Sequence, residues 1–313
     1  MAGEPVRAAV VGVGYLGAFH AEKYASLPGV ELVGVADLDR GRAEAIARTV
    51  GTSAIASIDE LFGRIDCASV AVPTPAHYQV AAALLERGID VLVEKPLTAT
   101  LEEGRRLVAL AAARQRILQV GHLERFNPAI RSLAAILTEP RFIECHRLAP
   151  FSERGTEVDV ILDLMIHDLD VILSVVASPL ERVEAVGVPV LSETADIANA
   201  RLRFASGAVA NVTASRVATK RERKIRFFQA DAYVTVDYGD RSIRIFRRVP
   251  GADGVPPTID VSEQHFSEAD PLFDEIEAFV RAVRTRTTPL VDGVTAVRAM
   301  EVAERIRSAL ESA

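Results

Sequence analysis

The first 120 residues alternate between strand-like and helix-like segments, and this alternation restricts the fold more than any other feature of the sequence. The strand-like runs are rich in β-branched residues without strict polar alternation, as is typical of strands buried on both faces of a sheet. Helical segments separate them, so the pattern predicts a parallel sheet covered by helices. The predicted strands are VRAAVVGV (6–13), VELVGVAD (30–37), CASVAV (67–72), VLVEK (91–95) and ILQV (117–120).

A glycine-rich turn, GVGYLG, lies where the first strand ends and the first helix begins. The G-x-G-x-x-G pattern is weak alone, but this position between a strand and a helix supports a dinucleotide site. Gly12 permits a tight turn, Gly14 lets the backbone approach a pyrophosphate, and Gly17 allows close packing of helix and strand. Tyr15 and Leu16 complete the turn and are expected beside the cofactor, because free N–H groups at a helix N-terminus bind phosphate.

An acidic residue follows the turn at the distance expected for a ribose contact. Asp37 lies 20 residues after Gly17, at the end of the second predicted strand, where a carboxylate can accept hydrogen bonds from ribose hydroxyls. A carboxylate there repels a 2′-phosphate, so the sequence favours NAD over NADP. Arg40 complicates this preference, because it could stack on adenine or bind that phosphate.

From about residue 122 onward the pattern changes to a series of strands separated by turn signals such as SG and YGD. Such a series predicts an antiparallel sheet with one face solvated or covered by a partner. Helices are predicted near Pro128, over DLMIHDLD (163–170), and at about 271–285 and 293–311. The predicted strands are VEAVGVPVLS, IANARLRFA, GAVANVTASR, KIRFFQA, AYVTVDY and SIRIFRRV.

The expected fold class is therefore α/β, with an N-terminal Rossmann doubly wound parallel sheet over 1–122. An α+β domain with a large, mostly antiparallel open sheet is expected over 123–313. A net charge of -7 argues against nucleic acid or anionic membrane as the partner. No apolar run reaches membrane-spanning length, and the N-terminus does not resemble a signal peptide. Cys67 and Cys145 lie in dissimilar contexts, so we expect no disulfide framework and a cytoplasmic location.

The segment VLVEKPLT places Glu94 and Lys95 at the carboxyl end of a predicted strand. Ligands of open α/β sheets bind at such ends. A lysine there could transfer a proton or polarise a hydroxyl group. The alternative is a lysine that points from a loop into solvent, and the residues alone leave this open.

The segment DLMIHDLD combines three acids with a histidine. In a helix, Asp163 and His167 lie four apart on one face, with Asp170 three residues further along. That spacing fits an acid–base pair, a metal site or the solvated face of an amphipathic helix, and composition does not choose between them.

Four segments together resemble the glucose–fructose oxidoreductase/inositol dehydrogenase (Gfo/Idh/MocA) family: GVGYLG, AVPTPAHYQVA (71–81), GIDVLVEKPLT and the D-x-x-x-H of DLMIH. The resemblance covers essentially the whole chain. It implies an NAD(P)-dependent dehydrogenase acting on a CH–OH group. It also implies a homo-oligomer, a dimer or a tetramer, formed through the open sheet of the second domain.

The resemblance also implies roles on the cofactor side. Glu94 matches the glutamate that binds the nicotinamide ribose, and Lys95 matches the lysine that contacts the reacting hydroxyl. The proline that follows is often preceded by a cis peptide bond. Pro73 and Thr74 match the loop beside the cofactor. His77 is counted with that loop, although a structural role also fits it.

On the substrate side, DLMIH matches the family pattern D-x-G-x-H, with Met165 where glycine is commoner. The resemblance makes His167 the proton acceptor for an alcohol, with Asp163 orienting it or holding a second hydroxyl. Met165 could then keep the backbone further from the ligand and narrow the pocket. Asp168 and Asp170 become structural candidates, Asp170 on the helix surface or at a domain contact. No metal is expected, because hydride transfer to NAD needs none.

The segment QVGHLERFNPA (119–129) leaves the last strand of the first domain at its carboxyl end. We therefore expect His122, Arg125 and Asn127 to face the cleft between the domains and to contact substrate, although His122 also fits a structural hinge. His20 and His146 are interpreted as structural or peripheral.

More narrowly, QVGHLERFNPA, the block around DLMIHDLD and VPVLSETADIANARL look like bacterial UDP-N-acetylglucosamine 3-dehydrogenases. In that group the sugar 3-hydroxyl is oxidised to a ketone. An aminotransferase then converts the ketone to a 3-amino sugar, which can feed lipid A precursors. Arg147 and Arg154 are candidate anchors for a diphosphate. The alternatives are an inositol or free-sugar dehydrogenase and, in another class, a non-catalytic regulator that binds NAD.

Overall fold

The computed structural model of the chain describes residues 4–152, 158–252 and 256–311. Contacts divide these residues into two units. The first contains the described residues up to Leu123 together with Asp270–Val297. The second contains Glu124–Ala269 and the described residues from Arg298 onward. The sequence pattern assigns all of 123–313 to one domain, and for residues 270–297 the structure differs.

The first unit is built on a six-stranded sheet in the order β3-β2-β1-β4-β5-β6. Every neighbouring pair is parallel, which is the doubly wound arrangement predicted from the sequence. The short strand β3 was not predicted. The strands are β1 (Val6–Val11), β2 (Val30–Ala36), β3 (Ser53–Ile55), β4 (Cys67–Val70), β5 (Asp90–Glu94) and β6 (Leu118–Gly121).

The helices begin where the sequence supplies capping groups. Asp39 accepts a hydrogen bond from the Arg42 amide at the start of α2, and a capping box of Thr100 and Glu103 starts α4. The α-helices of the described residues are α1 (Tyr15–Ser26), α2 (Arg40–Val50), α3 (His77–Glu86), α4 (Leu101–Ala113), α5 (Pro128–Ile136), α6 (Ile166–Val175), α7 (Pro271–Thr285) and α8 (Gly293–Glu311).

Helix α7 belongs to the first unit because its apolar face completes that core. Ile276 and Phe279 are fully buried in the cluster that also contains Tyr24 of α1. At the start of α7, the Asp270 carboxylate forms an ion pair of 2.6 Å with Lys23 of α1. An amphipathic pattern predicts such a helix but does not identify the core against which it packs.

The second unit contains an eight-stranded sheet in the order β14-β13-β12-β11-β7-β10-β9-β8. Its neighbours are antiparallel except for β7 and β10, so the sheet is mostly antiparallel, as predicted. Strands β7 and β14 were not predicted. The strands are β7 (Phe142–Leu148), β8 (Leu180–Val188), β9 (Ile197–Phe204), β10 (Val209–Ser215), β11 (Glu222–Phe228), β12 (Ala232–Asp237), β13 (Ser242–Val249) and β14 (Thr258–His265).

The two faces of this sheet differ in burial. In β7, Ile143 and Cys145 are fully buried, whereas Phe142 and Glu144 point to the opposite, half-exposed face. Period-two alternation of this kind is typical of a sheet with one face on the core. The half-exposed face carries a row of stacked aromatic rings that begins with Phe142 and Phe228.

Two further properties concern the chain as a whole. Within the described residues, no helix combines the length and the apolar character needed to cross a membrane. Cys67 and Cys145 are both buried free thiols, and they lie in different units.

Candidate functional site

The glycine turn has the geometry that its sequence predicts. Gly12 has φ of 85°, and a Cβ atom there would lie 2.7 Å from the Ala71 carbonyl group. A Cβ atom on Gly17 would lie 1.8 Å from the Gly12 carbonyl oxygen, so helix and turn approach too closely for any side chain. Gly14, the N-cap of α1, differs, because no described atom lies within 4 Å of its Cβ position. The helix N-terminus is thus open to an anion at Gly14.

Tyr15 and Leu16 occupy the first turn of α1. The Tyr15 side chain is 67% exposed and packs edge-on against Phe19, with 5.2 Å between ring centroids. Leu16 is half-buried. Exposed aromatic rings beside the open glycine turn leave apolar surface for a ligand.

The carboxylate of Asp37 is fixed at the end of β2. One oxygen accepts a hydrogen bond of 2.8 Å from the Val13 amide, and the other accepts one of 2.8 Å from the Asp39 amide. Arg42 Nη1 lies 3.5 Å from both oxygens, at the limit of a hydrogen bond, so a ligand hydroxyl at Asp37 would compete only with this long contact.

The basic residue beside Asp37 is Arg42, not Arg40. The Arg42 guanidinium lies 3.5 Å from Asp37, whereas Arg40 pairs with Glu44 at 2.9 Å and its side chain is 84% exposed. A contact of Arg40 with the adenosine end of the cofactor stays a prediction. Arg42 was missed, although its position in the first turn of the following helix, five residues after Asp37, is a signal that could have identified it.

Glu94 ends β5, and its carboxylate is oriented by two donors. His20 Nε2 lies 2.9 Å from one oxygen, and the backbone amide of Lys95 donates to the other at 3.2 Å. Burial is the largest single influence and opposes ionisation, but the hydrogen bond from His20 and the nearby positive charges, among them Lys95, together outweigh it and hold the pKa of Glu94 below its ordinary value. The peptide bond between Lys95 and Pro96 is cis.

His20 is fully buried beside Glu94, which agrees with the structural alternative of the sequence interpretation rather than the peripheral one. Its second ring nitrogen lies 3.0 Å from the Ser69 hydroxyl, which is also 3.0 Å from the Tyr24 hydroxyl. A neutral ring with its proton on Nε2 satisfies both contacts, because Nδ1 then accepts from Ser69. The chain of contacts extends from α1 through β4 to the end of β5.

The two ring nitrogens of His77 face backbone carbonyl groups of two loops. Its ring nitrogens lie 2.8 Å from the Pro96 carbonyl and 2.9 Å from the Val72 carbonyl. Burial lowers the pKa of His77, which favours the neutral ring, and a neutral ring donates to only one of the two carbonyls. The side chain contacts both loops, which gives it a structural role, and its assignment to cofactor binding stays a prediction. Of the neighbouring loop residues, Thr74 is buried and Pro73 is exposed.

In the second unit, Asp163 and His167 lie at the join of two helix types. Asp163 is within a π-helix, Ile161–Met165, and His167 is in the first turn of α6. Both side chains are half-buried. Because the π-turn is wider than an α-helical turn, Asp163 and His167 do not have the relative positions expected for residues four apart in an α-helix. Such turns occur often at functional sites.

The Met165 side chain is fully buried in the core of the second unit. Burial accounts for a large apolar residue at this position, and its effect on the substrate pocket stays a prediction.

Arg147 is a buried structural residue rather than a diphosphate anchor. Its guanidinium is 3% exposed and forms two hydrogen bonds with Asp168, of 2.8 Å and 3.0 Å. A third contact of 3.2 Å joins it to Glu124. Burial alone would lower the pKa of Arg147, but the charges of Asp168 and Glu124 outweigh burial and raise it. Arg154, the other candidate anchor, lies outside the described residues.

The remaining predicted substrate residues are also engaged in the fold. Arg125 lies 3.4 Å from Asp170, which is buried rather than on the helix surface. The Asn127 side-chain oxygen accepts a hydrogen bond of 3.1 Å from the Ala129 amide and caps α5, which explains this residue without substrate. His122 is almost fully buried.

An open glycine turn at the end of the first strand, with an oriented carboxylate at the end of the second, defines a dinucleotide-binding protein. Two family models match the chain: "Oxidoreductase family, NAD-binding Rossmann fold" over residues 6–122 and "GFO/IDH/MocA C-terminal domain" over residues 131–235. The chain belongs to the Gfo/Idh/MocA family of oxidoreductases.

The similarity to individual relatives extends over the whole chain. UDP-N-acetylglucosamine 3-dehydrogenase from Acidithiobacillus ferrooxidans is 38% identical over 98% of both chains. A crystal form of that enzyme has a TM-score of 0.88 and 37% identity over 98% of both chains. The scyllo-inositol 2-dehydrogenase (NAD(+)) from Bacillus subtilis is 29% identical over 95% of this chain and 92% of its own.

Proposed function

We propose that the chain is an NAD-dependent dehydrogenase that oxidises the 3-hydroxyl of UDP-N-acetylglucosamine to a ketone. The observation that carries this proposal is the identity of 38% over 98% of both chains with the Acidithiobacillus enzyme of that name. The presence of Lys95, Asp163 and His167 in one chain supports catalysis rather than a non-catalytic regulator that binds NAD.

The cofactor contacts follow from the first unit. The open N-terminus of α1 at Gly14 binds the pyrophosphate, and the Asp37 carboxylate binds the ribose hydroxyls of the adenosine. The negative charge of Asp37 disfavours a 2′-phosphate and supports NAD over NADP. Glu94 binds the nicotinamide ribose, and Pro73 and Thr74 lie beside the cofactor.

Each substrate role is assigned to a separate residue. Lys95 donates a hydrogen bond to the reacting hydroxyl oxygen and polarises it. His167 accepts the hydroxyl proton as the carbon–hydrogen bond breaks, and Asp163 orients His167 or holds a second hydroxyl. Bound NAD accepts the hydride. His122 and Arg125 contribute to substrate binding.

An inositol or free-sugar dehydrogenase is the second candidate function. The similarity to the scyllo-inositol 2-dehydrogenase of Bacillus subtilis favours it, because that relative also covers nearly the whole chain. Both candidates use the same chemistry at a secondary alcohol and differ in the substrate.

The proposed enzyme is a cytoplasmic homo-oligomer, a dimer or a tetramer, that associates through the open face of the eight-stranded sheet. That face carries stacked aromatic rings, with centroids 4.7 Å apart for Phe228 and Tyr233 and 5.1 Å apart for Tyr233 and Phe246. Contiguous apolar surface of this kind is typical of subunit interfaces. The ketone product is a substrate for an aminotransferase.

A substrate screen tests the proposed function. The purified protein is incubated with NAD or NADP and with UDP-N-acetylglucosamine, UDP-glucose, inositols or free hexoses, while formation of the reduced cofactor is recorded. We expect the highest kcat/KM with NAD and UDP-N-acetylglucosamine, and a mass spectrum that shows loss of two hydrogens from the sugar. A higher kcat/KM with an inositol or a free hexose would select the second candidate.

A further inference from the structure

Glu275 on α7 is a buried acid with no compensating contact in the part of the chain that the structure describes. Its side chain is fully buried in the first unit, and neither carboxyl oxygen has a hydrogen-bond partner among those residues. Its neighbours on the helix, Ile276 and Phe279, belong to the apolar core. A charged carboxylate in this environment would lose its hydration without replacement, which is strongly unfavourable.

Glu275 lies beside the carboxylate that we assign to the nicotinamide ribose. Donor atoms of His20, Glu94 and Glu275 all lie within 4.8 Å of one another. His20 contacts Glu94 at 2.9 Å, so Glu94 is held from one side by the imidazole and approached from another by Glu275. The carboxyl oxygens of Glu275 and Glu94 lie within 4.8 Å of each other without a hydrogen bond, so a hydrogen bond from a protonated Glu275 to Glu94 requires the Glu275 side chain to turn toward Glu94.

Three such donors could also surround a metal ion, but the existing hydrogen bonds argue against a metal. Metal binding needs a free lone pair on an imidazole nitrogen. His20 Nε2 faces Glu94, and His20 Nδ1 faces the Ser69 hydroxyl. A proton on Glu275 removes the unfavourable charge and leaves both contacts intact.

The charges around Glu275 favour its neutral form. Burial, reinforced by the negative charge of Glu94, raises the pKa of Glu275 well above its ordinary value. Burial and the nearby Glu275 also raise the pKa of the Tyr24 hydroxyl. The Gln119 amide nitrogen donates to the backbone carbonyl of Glu275 at 3.1 Å, so it does not compensate the carboxyl group. The titratable groups that bear on Glu275, directly or through Glu94, are His20 and Tyr24 of α1, Cys67 of β4, Glu94 and Lys95 at the end of β5, and His77 of α3.

We propose that Glu275 is a positioning residue: an uncharged carboxyl group that, together with His20, orients the Glu94 carboxylate for binding the nicotinamide ribose. The role rests on the proposed function, because it requires Glu94 to contact the cofactor. Glu275 itself touches neither cofactor nor substrate and acts only through Glu94.

Three variants test this role. Glu275→Gln is neutral and can still donate a hydrogen bond to Glu94. Glu275→Leu has a similar volume, suits an apolar core and cannot donate. Glu277→Gln is the matched control, because Glu277 lies on the exposed face of the same helix and pairs with Arg281. NAD affinity and the steady-state constants are measured for all three and for wild type.

We expect Glu275→Gln and Glu277→Gln to bind NAD as wild type does. For Glu275→Leu we expect the KM for NAD to rise about tenfold, with a smaller change in kcat, because a hydrogen bond to the binding carboxylate is lost. Wild-type NAD affinity in Glu275→Leu, or a loss in Glu275→Gln equal to that in Glu275→Leu, would overturn the proposal. One equivalent of a bound metal in elemental analysis would also overturn it.

Unfolding at different pH values tests the charge of Glu275 independently of NAD. A neutral acid in the folded state binds a proton that the unfolded chain has released, so stability falls as pH rises above the unfolded pKa of about 4.3. Relative to Glu275→Gln, the unfolding equilibrium constant of wild type should increase by up to about tenfold per pH unit. Equal pH dependence in the two proteins would refute a neutral Glu275. A wild-type protein that binds no NAD would instead refute the proposed function.

Discussion

The Asp37 carboxylate accepts a hydrogen bond of 2.8 Å from the backbone amide of Val13, inside the glycine turn. This contact ties the end of β2 to the loop at which a dinucleotide pyrophosphate would bind. Asp37 thus has a structural contact in addition to the ribose contact that we propose for it, and both depend on a carboxylate at this position.

Replacing Asp37 by alanine should erode the preference for NAD. A hydrogen bond to a charged group contributes about 1.5–3 kcal/mol, so we expect kcat/KM for NAD to fall by roughly 10- to 100-fold. The value for NADP should fall less, because the repulsion of its 2′-phosphate also disappears. The ratio of the two kcat/KM values is the measurement. Glu44→Gln, a change of an exposed acid on α2, is the control, and an unchanged ratio in Asp37→Ala would contradict the assignment.

Replacing Lys95 by methionine should abolish turnover while NAD still binds. Methionine keeps most of the side-chain length but cannot polarise the hydroxyl oxygen, so we expect kcat to fall by about 100-fold or more. Cofactor binding is followed by calorimetry and turnover by NADH formation. Lys220→Met, at an exposed position, controls for loss of a positive charge. A fully active Lys95→Met enzyme would refute this role.

The cofactor half of the site could be predicted because its signals are local. Gly12, Gly17 and Asp37 act through backbone geometry at the ends of two adjacent strands, and the spacing between them is visible in the sequence. Glu94 and Lys95 follow the same rule at the end of β5. Each of these positions is defined by the strand that precedes it.

The roles of other residues could not be predicted, because they depend on contacts with residues that are distant in the sequence. Strand β7 was missed because FIECHRL contains charged residues, and Arg147 is buried there through its contacts with Asp168 and Glu124. Glu275 resembles a solvated helix residue, although its position four residues before Phe279 places it on the apolar face of α7. Asn127 was assigned to substrate, but an asparagine followed by proline and a helix is also the pattern of an N-cap.

Removing one partner of the buried pair of Arg147 and Asp168 should lower the free energy of unfolding strongly, whereas removing both partners should lower it much less. Arg147→Met leaves a buried carboxylate without its partner, and we expect the free energy of unfolding to fall by about 3–5 kcal/mol. The double variant Arg147→Met/Asp168→Leu removes both charges and should recover much of that loss. Denaturant unfolding measures both.

The exposed pair of Arg244 and Glu263 provides the comparison for this experiment. Its closest contact is 2.8 Å, but both side chains are substantially exposed. Glu263→Gln should therefore change the free energy of unfolding by less than about 1 kcal/mol. If Arg147→Met were as stable as Glu263→Gln, the buried pair would not have the structural role assigned to it.

Asp196 should make the stability of the second unit sensitive to acid. Its carboxylate accepts hydrogen bonds from the amides of Val190, Leu191 and Ser192, at 2.8, 2.6 and 2.9 Å, and from Arg216 at 2.8 Å. Burial alone would raise the pKa of Asp196, but these donors outweigh burial and hold it well below its ordinary value.

The sign of this effect follows from proton linkage. The unfolded chain binds a proton at Asp196 near pH 3.9, whereas the folded chain does so only at lower pH, so the stabilisation is present above that value and is lost below it. Between about pH 4 and pH 3, the free energy of unfolding of wild type should fall by up to about 1.4 kcal/mol more than that of Asp196→Asn. Urea unfolding across this range is the measurement. Asp260→Asn, on the exposed strand β14, should keep the wild-type slope, and a wild-type slope in Asp196→Asn would exclude Asp196 as the source.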